Sequence, residues 1–191
     1  MNSQLMYAII NEASLEEIQV LINWCQDINK VEKNIGLTPL IAAIIFHPEV
    51  IPLLMAHLQL DVNKTNCYGQ TALFYAASFG HDLSPFLTYP NIDVNAQDYM
   101  GDTALHLAIF YSHRAKICQL LADPRTDTSL KNWLGKDAVD LAKNEHPELL
   151  PLFRREILAL VSPKVVPRLG GTSATRLPTK IMFQVNKMLY M

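Results

Sequence analysis

A glycine motif recurs along the chain with a nearly constant period. In each copy a glycine precedes a short run that contains threonine or aspartate, and the successive spacings are 33, 32 and 34 residues. The copies are GLTPL from Gly36, GQTAL from Gly69, GDTAL from Gly101 and GKDAV from Gly135. A period of this length is typical of helical repeat proteins, in which one short unit stacks on copies of itself.

A second motif keeps the same register. It lies eight or nine residues before each glycine. Its copies are Asp27-Ile-Asn29, Asp61-Val-Asn63, Asp93-Val-Asn95 and Asp127-Thr-Ser129. Because two independent markers share one period, the repeat is the unit from which the fold is predicted.

Each copy carries the residues that start a helix after a tight turn. The glycine permits positive φ, the following threonine can cap the first helical amides, and Pro39 suits the first helical position. Small residues such as Ala42 and Ala43 follow, so neighbouring first helices can approach closely. A break and a second apolar helix complete the unit. Neither helix can bury its apolar face alone, so we expect the units to stack.

The two ends of the repeat region differ from the middle. The first unit lacks the glycine turn, but Ser14 and Glu17 form a predicted capping box. The last unit has Asp137 in place of threonine and a polar strip, Arg154-Arg155-Glu156, on its second helix. We predict a repeat domain over residues 1–161, with a capping unit 1–29, internal units 30–62, 63–94 and 95–128, and a C-terminal capping unit 129–161.

The repeat pattern stops at Ser162. Residues 162–191 hold five basic residues and no acidic one, whereas the preceding chain holds 18 acidic and 11 basic residues. We interpret this segment as a basic Pro/Gly-containing tail whose apolar end, KIMFQVNKMLYM, either clamps onto the repeats or engages another molecule. The net charge of the whole chain is only −2, which does not indicate obligatory binding to nucleic acid.

One segment carries a family resemblance. The run VNAQDYMGDTALHLAIFYSH, residues 94–113, resembles the ankyrin pattern VNAxDxxGxTPLHLAxxxGH, with Ala104 for proline and Ser112 for glycine. The third unit departs from the pattern with Phe74 in place of histidine. The likeness covers residues 1 to about 160. It implies an all-α ankyrin-repeat solenoid of about five helix-turn-helix units with hairpin fingers, followed by a C-terminal extension.

The resemblance also implies where a partner binds. In this family the inner face consists of the hairpin tips and the ends of the first helices, and here those positions are mostly apolar or aromatic. Such residues are enriched at the centres of protein interfaces. We call the predicted binding set the aromatic strip: Ile35, Phe46, Tyr68, Phe79, Tyr99, Met100, Phe110, Tyr111, Trp133 and Leu134. The predicted function is a monomeric, non-enzymatic module, without cofactor, that binds a protein partner.

Three alternatives remain for the strip and the tail. Phe46, Phe79 and Tyr111 occupy equivalent sites and could stack on one another as ordinary repeat packing, or the tail could cover them. In the third alternative the basic tail binds an acidic protein, phospholipid or nucleic acid, and the repeats serve as a spacer. Salt-dependent binding that requires residues 162–191 would favour that alternative.

Candidate chemical groups are few. Histidines recur at the turn between the two helices of a unit: His47, His81, His113 and His146. Repeats stack about 10 Å apart whereas a zinc–nitrogen bond is about 2 Å, so we expect hydrogen bonds to neighbouring turns rather than a metal site. His106 is expected to bond the backbone of the next hairpin. A Cys67–His81 dyad lacks a third orienting group, so no catalytic residue is predicted.

The cysteines and the N-terminal residues indicate in which cellular compartment the protein is expected. The three cysteines are odd in number and form no CxxC motif, which favours a reduced, intracellular protein. No secretory signal and no apolar run of membrane-spanning length is apparent, so we predict a cytoplasmic location. Stand-alone ankyrin proteins of this irregular kind resemble effectors that intracellular bacteria deliver into host cells. The resemblance also matches Asn63 and Asn95 to the position that asparaginyl hydroxylases modify.

Overall fold

The computed structural model describes residues 2–33 and 36–153. Within these residues every regular element is helical, as the repeat pattern predicted. The α-helices are α1 Asn2–Ile10, α2 Leu15–Asn23, α3 Pro39–Phe46, α4 Ile51–Met55, α5 Ala72–Phe79, α6 Ser84–Leu87, α7 Ala104–Phe110, α8 Arg114–Ala122 and α9 Ala138–Glu145. Short 3₁₀ helices span Pro48–Val50 and Pro147–Leu149, and residues 150–153 are again helical. Ile35, the polar strip Arg154-Arg155-Glu156 and the predicted tail lie outside the described residues.

The first helices of successive units form one continuous layer. α1 contacts α3, α3 contacts α5, α5 contacts α7, and α7 contacts α9. Alanines line these contacts and are fully buried: Ala42, Ala43, Ala76, Ala77, Ala108 and Ala142. Because an alanine side chain ends at Cβ, the helices can approach closely, and the core runs without a gap from Leu5 to Phe153.

Each glycine-preceded first helix begins at a capping residue that the sequence predicted. The side-chain oxygens of Thr38, Thr71 and Thr103 accept hydrogen bonds from the amide three residues later, at 3.2, 3.3 and 3.4 Å. Asp137 accepts in the same way from Asp140 N at 2.9 Å. Pro39 is the first residue of α3, where no amide hydrogen is needed.

In three units the turn between the two helices contains a left-handed residue, whereas His47 and His146 end α3 and α9 with φ −145° and −140°. Gly80 has φ +73° at the end of α5, and Ser112 takes the same place after α7 with φ +57°. Glu12 has φ +52° after α1. The first unit therefore has the same kind of inter-helix turn as the units of Gly80 and Ser112, although no glycine hairpin precedes it.

The second helices differ in length more than the sequence pattern predicted. α4 and α6 contain five and four residues, whereas α8 contains nine. Pro52 and Pro85 lie in the first turns of α4 and α6, and α8 has no proline. Phe86 on the short α6 is 1% exposed, so one large side chain fills the space that a longer helix would cover.

None of the helices in the described part of the chain is both long and apolar enough to span a membrane.

Candidate protein-binding surface

Backbone hydrogen bonds join the hairpin tips into a row. The amide of Cys67 donates to Gly36 O at 3.3 Å, and the amide of Tyr99 donates to Tyr68 O at 3.1 Å. The amide of Trp133 donates to Met100 O at 2.9 Å. Each tip is therefore held against the preceding one, and the side chains at the tips follow one another in fixed order.

One side chain holds each tip in shape. Asn66 Oδ1 accepts the amides of Tyr68 at 2.8 Å and Gln70 at 3.0 Å. Asp98 and Asn132 accept the equivalent amides of the next two hairpins at 2.8 to 3.2 Å. The tips are thus preorganised by short-range bonds that do not depend on a partner.

The described members of the aromatic strip are exposed. Their fractional exposures run from 38% at Phe46 to 76% at Trp133. Large apolar side chains at these exposures lie in two rows, one along the hairpin tips and one along the ends of the first helices, from which a partner could remove much apolar area. The tip row comprises Tyr68, Tyr99, Met100, Trp133 and Leu134, and the helix-end row comprises Phe46, Phe79, Phe110 and Tyr111.

Ring contacts of the strip lie within single units of the described chain. Phe110 and Tyr111 meet edge to face with centroids 5.1 Å apart, and Tyr111 stacks on His113 at 6.1 Å. Phe79 stacks on Tyr75 at 6.3 Å with an interplanar angle of 13°. Phe79 and Tyr111 therefore contact rings of their own units, and no ring contact within the described residues joins Phe46, Phe79 and Tyr111 to one another.

Tyr75 supports the strip, and the sequence reasoning missed it. Its hydroxyl accepts a hydrogen bond from Asn66 Nδ2 at 3.1 Å, which ties α5 to the hairpin that precedes it. The Tyr75 phenol is neutral at neutral pH, burial raises its pKa further, and its ring stacks on Phe79. The sequence places Tyr75 four residues before Phe79, on the same face of the helix, and this spacing could have indicated the contact between the two rings.

Two of the four inter-helix histidines bond backbone carbonyls as predicted, whereas His47 Nδ1 is buried without a hydrogen-bond partner in the described residues and the His81 ring makes no such bond there. His113 Nε2 lies 2.9 Å from Ser78 O, and His146 Nε2 lies 3.3 Å from Phe110 O, both in the preceding unit. A carbonyl only accepts, so Nε2 carries the proton. No group of three His, Cys, Asp or Glu side chains suited to a metal ion was found within residues 2–33 and 36–153.

His106 has two structural roles. Its Nε2 lies 3.3 Å from Lys136 O in the next hairpin, which confirms the prediction. Its Nδ1 also lies 2.9 Å from Thr103 Oγ1 and 3.3 Å from Thr103 N. The second contact closes a capping box on α7, so both ring nitrogens are engaged in holding the fold.

Cys67 and His81 lie at opposite ends of α5. Cys67 is at a hairpin tip, where its Sγ would lie 2.6 Å from a Cβ added at Gly36. His81 follows the eight residues of α5, and a helix of that length spans about 12 Å. The imagined dyad is therefore not assembled.

Three asparagines bridge successive hairpins, which the sequence reasoning did not foresee. Asn63 Nδ2 donates to Asn91 O at 2.7 Å, and Asn63 Oδ1 accepts from Asp93 N at 2.9 Å. Asn29 and Asn95 make the same pair of bonds one unit earlier and one unit later. The Asp-x-Asn motif therefore fixes the spacing of the hairpins on which the strip lies.

The sequence matches ankyrin families over most of the repeat region. A family of three ankyrin repeats matches residues 5–98, and a single ankyrin repeat matches residues 100–133. The chain belongs to the ankyrin-repeat family. Ankyrin repeats are generally protein-interaction modules and are typically non-enzymatic.

Relatives carry ankyrin repeats within proteins of different kinds. E3 ubiquitin-protein ligase XBAT33 of Arabidopsis thaliana is 38% identical over 101 residues, which are 52% of this chain and 19% of that protein. Protein phosphatase 1 regulatory subunit 12A of Mus musculus is 35% identical over 78 residues, 40% of this chain and 8% of the subunit. A putative ankyrin repeat protein of Rickettsia bellii is 29% identical over 120 residues, 61% of this chain and 66% of that protein. The chain thus spans about one fifth of the plant ligase.

Proposed function

We propose that this ankyrin-repeat chain binds one protein partner through the aromatic strip and carries out no chemistry of its own. The observation that carries the proposal is the set of exposed aromatic and apolar side chains on the joined hairpin tips and on the ends of the first helices. Their interaction with water is unfavourable, and a contiguous exposed apolar surface of this kind usually has a binding role.

The rigidity of the row supports tight binding. Backbone bonds between tips and the side-chain bonds within each tip hold Tyr68, Tyr99 and Trp133 in place before a partner arrives. Binding then costs little backbone ordering, and only side-chain rotamers have to be fixed.

The partner is expected to present an elongated apolar surface. Four hairpins stacked about 10 Å apart give a row about 30 Å long. A helix of about 20 residues has that length, and its apolar face could lie across the tips. An extended peptide is the other form that would contact several tips at once.

The relatives are consistent with a non-catalytic role. The shared segment belongs to a regulatory subunit in the mouse phosphatase relative, and it covers a small fraction of the plant ubiquitin ligase. By analogy, we propose that the repeats of this chain recruit another protein rather than act on it.

A pair of triple variants tests the strip. The strip triple is Tyr99→Ala, Phe110→Ala and Trp133→Ala, three residues that are at least half exposed. The control triple is Val20→Ala, Trp24→Ala and Leu58→Ala, which removes comparable exposed apolar groups elsewhere. Phe79 is left intact because it stacks on Tyr75.

Capture experiments from cells that express the protein would compare the three chains after their melting curves have been shown to agree. Proteins retained by the native chain and by the control triple, but lost by the strip triple, are the expected result. Equal retention by all three chains would contradict the proposal.

The charge asymmetry of the sequence favours one second candidate. Residues 162–191 carry five basic residues and no acid, so the tail could bind an acidic partner, phospholipid or nucleic acid. Binding through the tail would be retained by the strip triple, would weaken steeply with salt and would disappear when residues 162–191 are removed. We further propose that the chain acts as a monomer in the cytoplasm, and delivery into a host cell remains a prediction.

A further inference from the structure

The last described hairpin has an open face where each earlier hairpin is covered. A Cβ added at Gly36 would lie 2.6 Å from Cys67 Sγ, and one added at Gly69 would lie 2.8 Å from the ring of Tyr99. One added at Gly101 would lie 3.0 Å from the backbone of the next hairpin. At Gly135 the same atom meets nothing within 4 Å, so open space adjoins this glycine in the described chain.

The row of backbone bonds also ends at this hairpin. Tyr68 and Met100, each directly before its glycine, accept the amide of the following tip through their carbonyl oxygens. Leu134 is the next residue of this series, and within the described residues no following tip donates to its carbonyl. An additional tip on this face would satisfy the Leu134 carbonyl in the same way.

The sequence beyond the described residues supplies a matching segment. Leu169-Gly170-Gly171-Thr172 repeats the order of an apolar residue, a glycine, one variable residue and a threonine. Gly170 lies 35 residues after Gly135, close to the spacings of 33, 32 and 34 between the earlier glycines. Although the helical part of the repeat pattern stops at Ser162, this single turn motif is in register with the earlier glycines.

We infer that residues 168–172 dock on the open face of the Gly135 hairpin as a sixth hairpin tip. The Arg168 amide then donates to Leu134 O, as the Trp133 amide donates to Met100 O. The connection is long enough: 14 residues separate Phe153 from Arg168, and 13 separate the corresponding Gln119 from Trp133. The docked tip extends the row and places the cation of Arg168 at its end.

The sixth tip differs from the others at one position. Pro167 stands where Asn66, Asp98 and Asn132 stand, so it has neither the side-chain acceptor nor the amide that closes those turns. The tip is therefore held mainly by its contact with the Gly135 hairpin. Its amides should exchange with solvent faster than those of the earlier tips, but slower than those of an unstructured chain.

Disulfide trapping in the full-length chain tests the docking. The test variant carries Gly135→Cys and Arg168→Cys in a background with Cys25→Ser, Cys67→Ser and Cys118→Ser. The positive control keeps Cys67 and adds Gly36→Cys, because those two positions are in contact. Gly36 and Gly135 both have positive φ, so the glycine substitution introduces the same left-handed strain in the control and in the test variant. A second control pairs Gly135→Cys with Thr179→Cys. In an unstructured chain this longer loop would close almost as often as the loop between residues 135 and 168, so the control measures the rate of random disulfide formation.

The expected result is an intramolecular disulfide in the test variant, formed at least about tenfold faster than in the Thr179 control because docking raises the effective concentration. A rate equal to that of the Thr179 control would overturn the inference. A disulfide between two chains would also overturn it, since a second copy would then occupy the face.

Hydrogen exchange of the unmodified chain gives an independent test that needs no substitution. The Arg168 amide is expected to exchange more slowly than amides of an unstructured peptide of the same sequence. Exchange at the unstructured rate would contradict the docking even if the cysteine variants fail to fold. Neither test depends on whether the aromatic strip binds a partner.

Discussion

Asn63 shows how a single side chain sets the geometry of the molecule. Its amide nitrogen donates to Asn91 O and its oxygen accepts from Asp93 N, at sequence separations of 28 and 30 residues. Spacing alone identified the Asp-x-Asn motif, but its bonding partners are backbone groups of the next hairpin. Their proximity depends on stacking, so the sequence did not predict the role.

The first prediction concerns this bridge. Asn63→Ala removes two hydrogen bonds between successive hairpins, each with a net value of about 0.5–1.5 kcal/mol, so the free energy of unfolding should fall by about 1–3 kcal/mol. Lys64→Ala, at an exposed neighbouring side chain, should change it by less than about 0.5 kcal/mol. Urea denaturation measures both. Equal values for the two variants would contradict the bridging role.

The second prediction concerns the left-handed turn residue, for which two units offer opposite changes. Gly80→Ala introduces a Cβ at φ +73° and 3.3 Å from the His113 ring, so stability should fall by about 1–2 kcal/mol. Ser112→Gly removes the same conformational cost at φ +57°. The glycine also gives the unfolded chain more conformational freedom, which offsets part of the gain, so stability should rise by about 0.5 kcal/mol. Thermal melts that shift in the same direction for both variants would show that φ is not the cause.

At the scale of the helix, the start of each glycine-preceded first helix was predictable and the length of the second was not. Thr38, Thr71 and Asp137 cap by bonds to residues three positions away, so the local sequence contains all the information. The length of α6 depends instead on Pro85 and on how Phe86 fills the space beside it. Tertiary packing decided that outcome.

The third prediction tests a cap. Asp137→Ala removes the oxygen that accepts Asp140 N, and the unfolding free energy should fall by about 0.5–2 kcal/mol. Asp137→Asn keeps an acceptor in the same place and should retain most of that stability. Chemical denaturation of the pair separates the cap from the charge. A larger loss for asparagine than for alanine would rule out the capping account.

At the scale of the molecule, the register of the repeat located the strip but not its supports. The order of the tips follows from the period, so exposure at Tyr99 and Trp133 could be expected from the family pattern. Tyr75 was missed because its effect depends on a bond to Asn66 in the preceding hairpin. The exposed Tyr7, Val20 and Trp24 of the first unit were missed because no glycine motif marks that unit.

The same register organises both proposals. The strip uses the outer ends of the stacked hairpins, and the inferred sixth tip uses the open side of the last one. If both hold, the partner meets a row that is apolar along most of its length and positively charged at Arg168.

The most direct test of the central claim is calorimetric titration of a captured partner against the native chain, the strip triple and the control triple. An aromatic anchor at an interface centre contributes about 2 kcal/mol or more, so even one such anchor among the three should make the strip triple bind at least about 30-fold more weakly. The control triple should bind within about threefold of the native chain. Equal affinity for the native chain and the strip triple would show that the partner does not bind the aromatic strip.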